Sequence, residues 1–235
     1  MININTLGFL GQICFSLKEN FKKIYQTSNF YEKKISKTLK SSFYYKPSPH
    51  LLSSIIKFQN KKYRIEDFAI ETIWQNKIGT KDFEKLNNFF WFFSLDLKSS
   101  KKTTQNVIKK WISNNSKYQR KSWDFDLTAK RIISWLSNHQ LTYENSDREY
   151  RSIFNHMIQK QTNHLLNEIK NSNEVENKMI GCAAIILTGL AYKNEKEYLE
   201  NGLNLLKKII KTSIDSQGFP KSRNIRQLIF YLKYF

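Results

Sequence analysis

Apolar residues recur at three- and four-residue spacing through most of the second half of the chain. That period lines them along one face of an α-helix. Thr103–Ser113 carries Val107, Ile108, Trp111 and Ile112 on one side. Leu127–Ser137 does the same with Ile132, Ile133 and Leu136. Asp126 stands where an N-cap belongs, because its carboxylate accepts from a free backbone N–H of the first turn. Tyr150–Ile169 presents Ile153, Phe154, Met157, Ile158, Leu165 and Ile169. Asn177–Tyr192 and Glu195–Thr212 predict two further helices, and Ile225–Tyr234 begins another. Ahead of these, Phe83, Leu86, Phe89 and Phe90 run helically into Trp91-Phe92-Phe93-Ser94-Leu95-Asp96. The polar connections are short, so neighbouring helices are expected to run antiparallel. No fixed-period repeat is present, which excludes a regular solenoid.

The first 45 residues read as a basic arm dotted with aromatics. Phe9, Cys14, Phe15, Leu17, Phe21 and Ile24 keep roughly helical spacing, Ser28-Asn29 breaks it, and Tyr31–Leu39 resumes it in polar form. The segment Leu7–Phe15 is expected to be helical and to pack on the body. Lys46-Pro47-Ser48-Pro49 is the clearest boundary, since each proline disfavours helix in the residue before it. Ile55–Ile65 then reads as extended or mixed, with Phe58 and Tyr63 turned to the body. The organisation predicted is an N-terminal arm over 1–54 and one body over 55–235. With only 7 Gly and 3 Pro in 235 residues, the turns needed by a many-stranded sandwich are scarce. The fold class is therefore all-α.

Charge changes the picture of partners but not of fold. Thirty-nine basic residues oppose 20 acidic ones, for a formal net charge of +19. Such a surface attracts acidic polysaccharide, nucleic acid or anionic lipid head groups. Lys, Asn and Ile are abundant throughout, so a compositional background stands beside a binding footprint. Basic and aromatic residues interleave over 18–45, yet no nucleic-acid motif accompanies them, and that partner ranks last. Cys14 and Cys182 make no disulfide framework, and Cys182 in the run Met179–Leu190 reads as a small buried hydrophobe. No apolar run nears the ~20 residues of a membrane span. Leu7–Phe15 lacks the preceding Lys or Arg of a signal peptide, leaving a cytoplasmic or envelope-associated location open. His50, His139, His156 and His164 show no metal spacing, so neither metal nor cofactor is expected. Ser99-Ser100-Lys101-Lys102 reads as a solvated turn.

Several side chains carry two readings. Trp111, Trp123 and Trp135 are either sugar-stacking platforms or core residues, and the apolar faces near Trp111 and Trp135 favour the core. Arg131 either clamps a carboxylate through its planar fork or bridges Asp124 or Asp126. Arg223, Asn224 and Arg226, after Gly218, form either an anion site or a helix cap with solvated arginines.

Taken together, the Trp111 helix, the block Trp123…Arg131…Trp135, Gly181-Cys182-Ala183-Ala184 with Thr188-Gly189-Leu190, and the closing Gly218…Ser222-Arg223-Asn224 resemble the helical half of the heparinase II/III-like polysaccharide lyases. The resemblance covers roughly 55–235. It implies an incomplete α/α toroid of antiparallel hairpins without the family's C-terminal β-sandwich, which a separately encoded partner would supply. It also implies glycan binding, with an acidic polysaccharide as ligand and β-elimination at a uronic acid as the chemistry. That reaction needs a clamp for the carboxylate, a base and an acid close together. The family's catalytic Asn would fall at Asn177, where the next helix is taken to begin. Arg131, Trp135, Arg223, Asn224 and Arg226 would contact substrate. Lys178 follows Asn177 where many relatives carry His. Arg226 lies near the slot of the family's Tyr, and the family's His falls beyond Phe235. The expected module is thus truncated, with an incomplete catalytic set that is inactive alone. A glycan-binding module without catalysis is the alternative.

Overall fold

The computed structural model describes residues 4–37, 80–94, 101–172, 174–192 and 196–234. The predicted boundary at Lys46–Pro49, the segment Ile55–Ile65 and His50 lie outside the described residues. Ten α-helices and one 3₁₀ turn make up the described elements, with an isolated bridge between Ile214 and Pro220. The described residues are all-α. The helices are α1 (Ile4–Thr27), α2 (Asn29–Ile35), α3 (Thr80–Asn88), α4 (Lys101–Asn114), α5 (Phe125–Ser137), α6 (His139–Thr142), α7 (Arg148–Glu168), α8 (Val175–Ala191), α9 (Lys196–Ser213) and α10 (Ile225–Tyr234). The 3₁₀ turn is Phe90–Ser94.

Three boundaries differ from the sequence reading. Helix α4 starts at Lys101, so Lys101-Lys102 belong to a helix and not to a solvated turn. Helix α5 starts at Phe125 and is capped by Asp124, whose carboxylate accepts from the Asp126 amide. Asp126 sits in the first turn and pairs instead with Lys130 at 2.6 Å. Two aspartates two residues apart offer the same capping chemistry, and Phe125 moves the choice forward because its ring packs against Gly181. Helix α8 begins at Val175 with Glu174 at the cap, two residues before Asn177.

Helix α5 is the centre. Ten of its 13 residues are buried, including polar Thr128, Arg131 and Ser134, so it is enclosed on all sides rather than on one stripe. Its neighbours run antiparallel in turn. Arg131 meets Gln161 and Trp135 meets Phe154, so α7 runs against α5. Thr162 meets Thr188 and Asn155 meets Tyr192, so α8 runs against α7. Gly189 faces Leu199 and Gly202 faces Ile186, so α9 runs against α8. That last pair packs without room for a side chain: a Cβ on Gly189 would stand 2.4 Å from the Leu199 amide nitrogen.

An aromatic knot joins α3, the 3₁₀ turn, α4 and α5. Phe89 stands edge-on to Trp111 and Trp135, with ring centroids at 6.1 and 5.2 Å, and the two indoles meet at 5.5 Å. Phe89 adopts φ +58°, the left-handed turn that ends α3 and aims its ring inward. Trp111, Trp123 and Trp135 are all fully buried, as the apolar faces near Trp111 and Trp135 predicted for those two. Cys182 is buried as well.

Helix α2 is fastened to α7. Lys160, itself buried, pairs with Glu32, and the Asn163 amide donates to the Ile35 carbonyl at 2.9 Å. Among the described side chains, helix α1 is attached near its C-terminal end. Gln26 is buried and accepts from the Tyr118 hydroxyl at 2.9 Å, and Lys22 pairs with Glu168. Of the segment Leu7–Phe15, expected to pack on the body, Cys14 and Phe15 are exposed and most other side chains lie outside the described residues; beyond it, Leu17, Phe21 and Ile24 are exposed as well. No described helix is long and apolar enough to cross a membrane.

Candidate functional site

The turn joining α9 to α10 is organised by one carboxylate. Asp215 Oδ1 accepts from the amides of Gln217 and Phe219, at 2.9 and 3.0 Å. Those amides, with the Arg223 guanidinium, hold its carboxyl below the usual range. Gly218 at φ +84° lets the chain reverse, a conformation that costs glycine little. Arg223 takes φ +57° without being glycine. Such strain persists where the surroundings impose it and points toward function. Here the restraint is the 2.9 Å pair of Arg223 with Asp215 and the stacking of its guanidinium over the Phe219 ring. Asn224 then caps α10, its Oδ1 accepting from the Arg226 amide at 2.9 Å.

Around this turn the cations are exposed. Lys221 donates to the Lys211 carbonyl at 3.0 Å, bringing the end of α9 beside the turn. Lys207, Lys208, Lys211, Lys221, Arg223 and Arg226 are all exposed. The Arg223 side chain retains 64% of its accessible surface, so its planar fork has donors left after the Asp215 pair. Chemically this is a surface for carboxylate or sulfate groups. Arg223, Asn224 and Arg226 are thus brought together as the sequence suggested. Lys211, Lys221 and Asp215 join them, although the sequence reading did not include them. Asp215, six residues after Ile209 in the pattern and next to a Gly turn, was the available signal.

The other proposed contacts stand elsewhere. Arg131 and Trp135 are fully buried, so neither reaches a ligand at the surface, which corrects their reading as substrate-binding residues. Arg131 does not bridge Asp124 or Asp126 either. It donates to Gln161 Oε1, the Asn87 and Ser122 carbonyls and Thr128 Oγ1, all within 3.1 Å. Its guanidinium lies 3.9 Å from the Trp111 ring centroid. Burial lowers its pKa, yet a guanidinium starts so high that it stays charged. Asn177 is not an N-cap. It is the third residue of α8, and its amide reaches back to Glu174 Oε2 at 2.9 Å.

A second feature had no signal in the sequence. His164 is fully buried and its Nε2 faces the Trp123 carbonyl at 2.9 Å. A carbonyl only accepts, so Nε2 carries the proton and Nδ1 accepts from the Tyr31 hydroxyl at 2.7 Å. Burial pushes the imidazole down to about 4, so it is neutral. Burial likewise raises Tyr118, to about 12, and Tyr31. The His164 and Tyr118 rings back a cavity of about 180 Å³ beneath α1, edged by Lys22, Arg120 and Glu168. Tyr31 and His164 are 133 positions apart, and no local pattern links them. Among the described residues, no three His, Cys, Asp or Glu side chains gather in a way that could hold a metal. No family model, no curated protein and no solved structure matches the chain.

Proposed function

We propose that the chain is a helical module that holds acidic polysaccharide on the basic turn between α9 and α10. In this reading it is akin to the helical half of a heparinase II/III-like lyase, an open α/α toroid. Eliminative cleavage then needs groups from a separately encoded β-sandwich partner. The observation that carries the reading is the exposed set Lys211, Lys221, Arg223 and Arg226 at the α9–α10 turn, where Arg223 pairs with Asp215 in a left-handed backbone conformation. The antiparallel order of α5, α7, α8 and α9 supports the ring. Binding is favoured over catalysis by the tyrosines that follow the turn. Tyr231 is buried against Met179, Cys182 and Ile209, and burial raises both its phenol and that of Tyr234. Neither is poised to take a proton near neutral pH.

The test is retention on immobilised polygalacturonate and heparin at about 0.15 M salt, where exposed charges are partly screened. Removing two exposed charge-assisted contacts with Arg223→Ala/Arg226→Ala should weaken binding about fivefold to tenfold. Lys102→Ala/Lys117→Ala removes the same charge elsewhere and should cost much less. Equal losses in the two variants would reduce the effect to net charge and end the proposal. Absorbance from unsaturated uronate should stay flat with the chain alone.

A further inference from the structure

Helix α1 is amphipathic with its sides reversed. Its polar row, Lys22 and Gln26 with Glu19 and Lys23 beside them, faces the body and edges the cavity under Tyr118 and His164. Leu17, Phe21 and Ile24 form the i, i+4, i+7 row. At 100° per residue this row points about 150° away from Lys22 and Gln26. Leu17, Phe21 and Ile24 keep 51%, 70% and 68% of their surface, and Phe30 at the start of α2 keeps 69%. A helix that turns its polar side to its own protein and its apolar side to water leaves that apolar row for something else.

Charge chooses the occupant. Residues 4–37 contain six lysines and two glutamates, and one of those, Glu32, is already paired with buried Lys160. Lys18 and Lys23 on α1 and Lys33 and Lys34 on α2 are exposed. A second copy of the chain would bring another +19 to the same place and be repelled. An anionic lipid surface accepts apolar side chains into its acyl boundary and draws lysines to its head groups. We infer that α1 docks the protein on anionic membrane surfaces, lying in the interface with Leu17, Phe21, Ile24 and Phe30 inserted. The body stays oriented because Gln26, Lys22 and the α2 contacts with α7 fix α1 from its other side.

The test is co-sedimentation of the full chain with vesicles of phosphatidylcholine alone and of phosphatidylcholine with about a third phosphatidylglycerol. Binding should need the anionic lipid and fade with salt. Phe21→Ser/Ile24→Ser should reduce it by about tenfold or more, since two large apolar groups lose their burial. These positions are exposed, so the fold is expected to survive. Phe21→Trp should move its emission to shorter wavelength on vesicles. Equal binding by Phe21→Ser/Ile24→Ser, or no binding to either vesicle, overturns the inference. Concentration-dependent self-association that Phe21→Ser/Ile24→Ser abolishes, with vesicles left unbound, overturns it in favour of a second copy.

Discussion

Replacing Arg131 by methionine tests whether the centre of the fold depends on a buried charge. Methionine keeps much of the volume and removes every donor. Four acceptors now serve the guanidinium: Gln161 Oε1, the Asn87 and Ser122 carbonyls and Thr128 Oγ1. The threonine hydroxyl can rotate to another partner, but the two carbonyls belong to the backbone and cannot be deleted. Each buried acceptor left unsatisfied costs about 1–3 kcal/mol, so three of them cost about 3–9 kcal/mol. Losing the cation over the Trp111 ring, at 3.9 Å, adds about 1–2 kcal/mol. Against this stands the relief of no longer burying a charge, which is several kcal/mol. The balance should favour the native arginine by about 3–5 kcal/mol. Urea unfolding followed by tryptophan emission would read it as a midpoint lower by about 1–2 M, given slopes of about 2–3 kcal/mol/M for a protein of this size. Arg131→Lys should also destabilise, because a point charge cannot reach acceptors spread around a planar fork. A midpoint unchanged in Arg131→Met would mean that the carbonyls find water or each other, and the reasoning would be refuted.

Two further perturbations probe the frame around that centre. His164 is held neutral with its pKa pushed down to about 4, against about 6.5 in an unfolded chain. Between those values the unfolded state binds the extra proton, so stability is full above about 6.5 and falls as pH drops toward about 4, by about 3 kcal/mol in all. Urea midpoints at pH 7 and pH 4.5 should differ accordingly, and His164→Gln should flatten that particular dependence; an unchanged slope would assign it to other groups. Gly189→Ala adds a good helix former, worth about 1 kcal/mol, but drives a Cβ to within 2.4 Å of the α9 backbone. The clash should win, with a net loss of about 1–3 kcal/mol in the same assay, and a stabilised variant would show that α9 moves aside freely.

How far the sequence reaches depends on the distance over which each cause acts. Helix α10 begins where its apolar spacing predicted, and α7, α8 and α9 lie within two residues, because period and polar connections are local properties. The four-residue helix α6 has too little period to register. Arg131 illustrates the harder case. Its helix carries polar Thr128, Ser134 and Ser137 among the apolar residues, and only the assembly reveals that they are buried too. Its partners come from Asn87, Ser122 and Gln161, on separate elements, so no spacing could announce them. The closing turn was partly legible because Gly218, Arg223, Asn224 and Arg226 fall within nine residues. Asp215, which organises it, lies only three residues ahead of Gly218, yet it drew no attention because a single carboxylate beside many lysines looks like background.

That background is the quantity the structure divides. Some lysines are answered where they stand: Lys101 by Glu144, Lys109 by Glu149 and Lys130 by Asp126. The buried cations Arg131 and Lys160 bind parts of the fold together. Two groups remain that carry something beyond charge. Along α1, lysines border an apolar row that faces away from the protein. At the α9–α10 turn, Lys211 and Lys221 are exposed near an arginine in left-handed backbone that pairs with Asp215. Compositional bias toward lysine accounts for neither the reversed amphipathicity nor the strained backbone, since both are arrangements of particular residues in space. A ligand for the positive surface is therefore best sought at these two places, and their different companions separate what each would take. Apolar side chains require a surface that admits hydrocarbon, whereas planar guanidinium groups on a rigid polar turn favour hydrated carboxylate or sulfate.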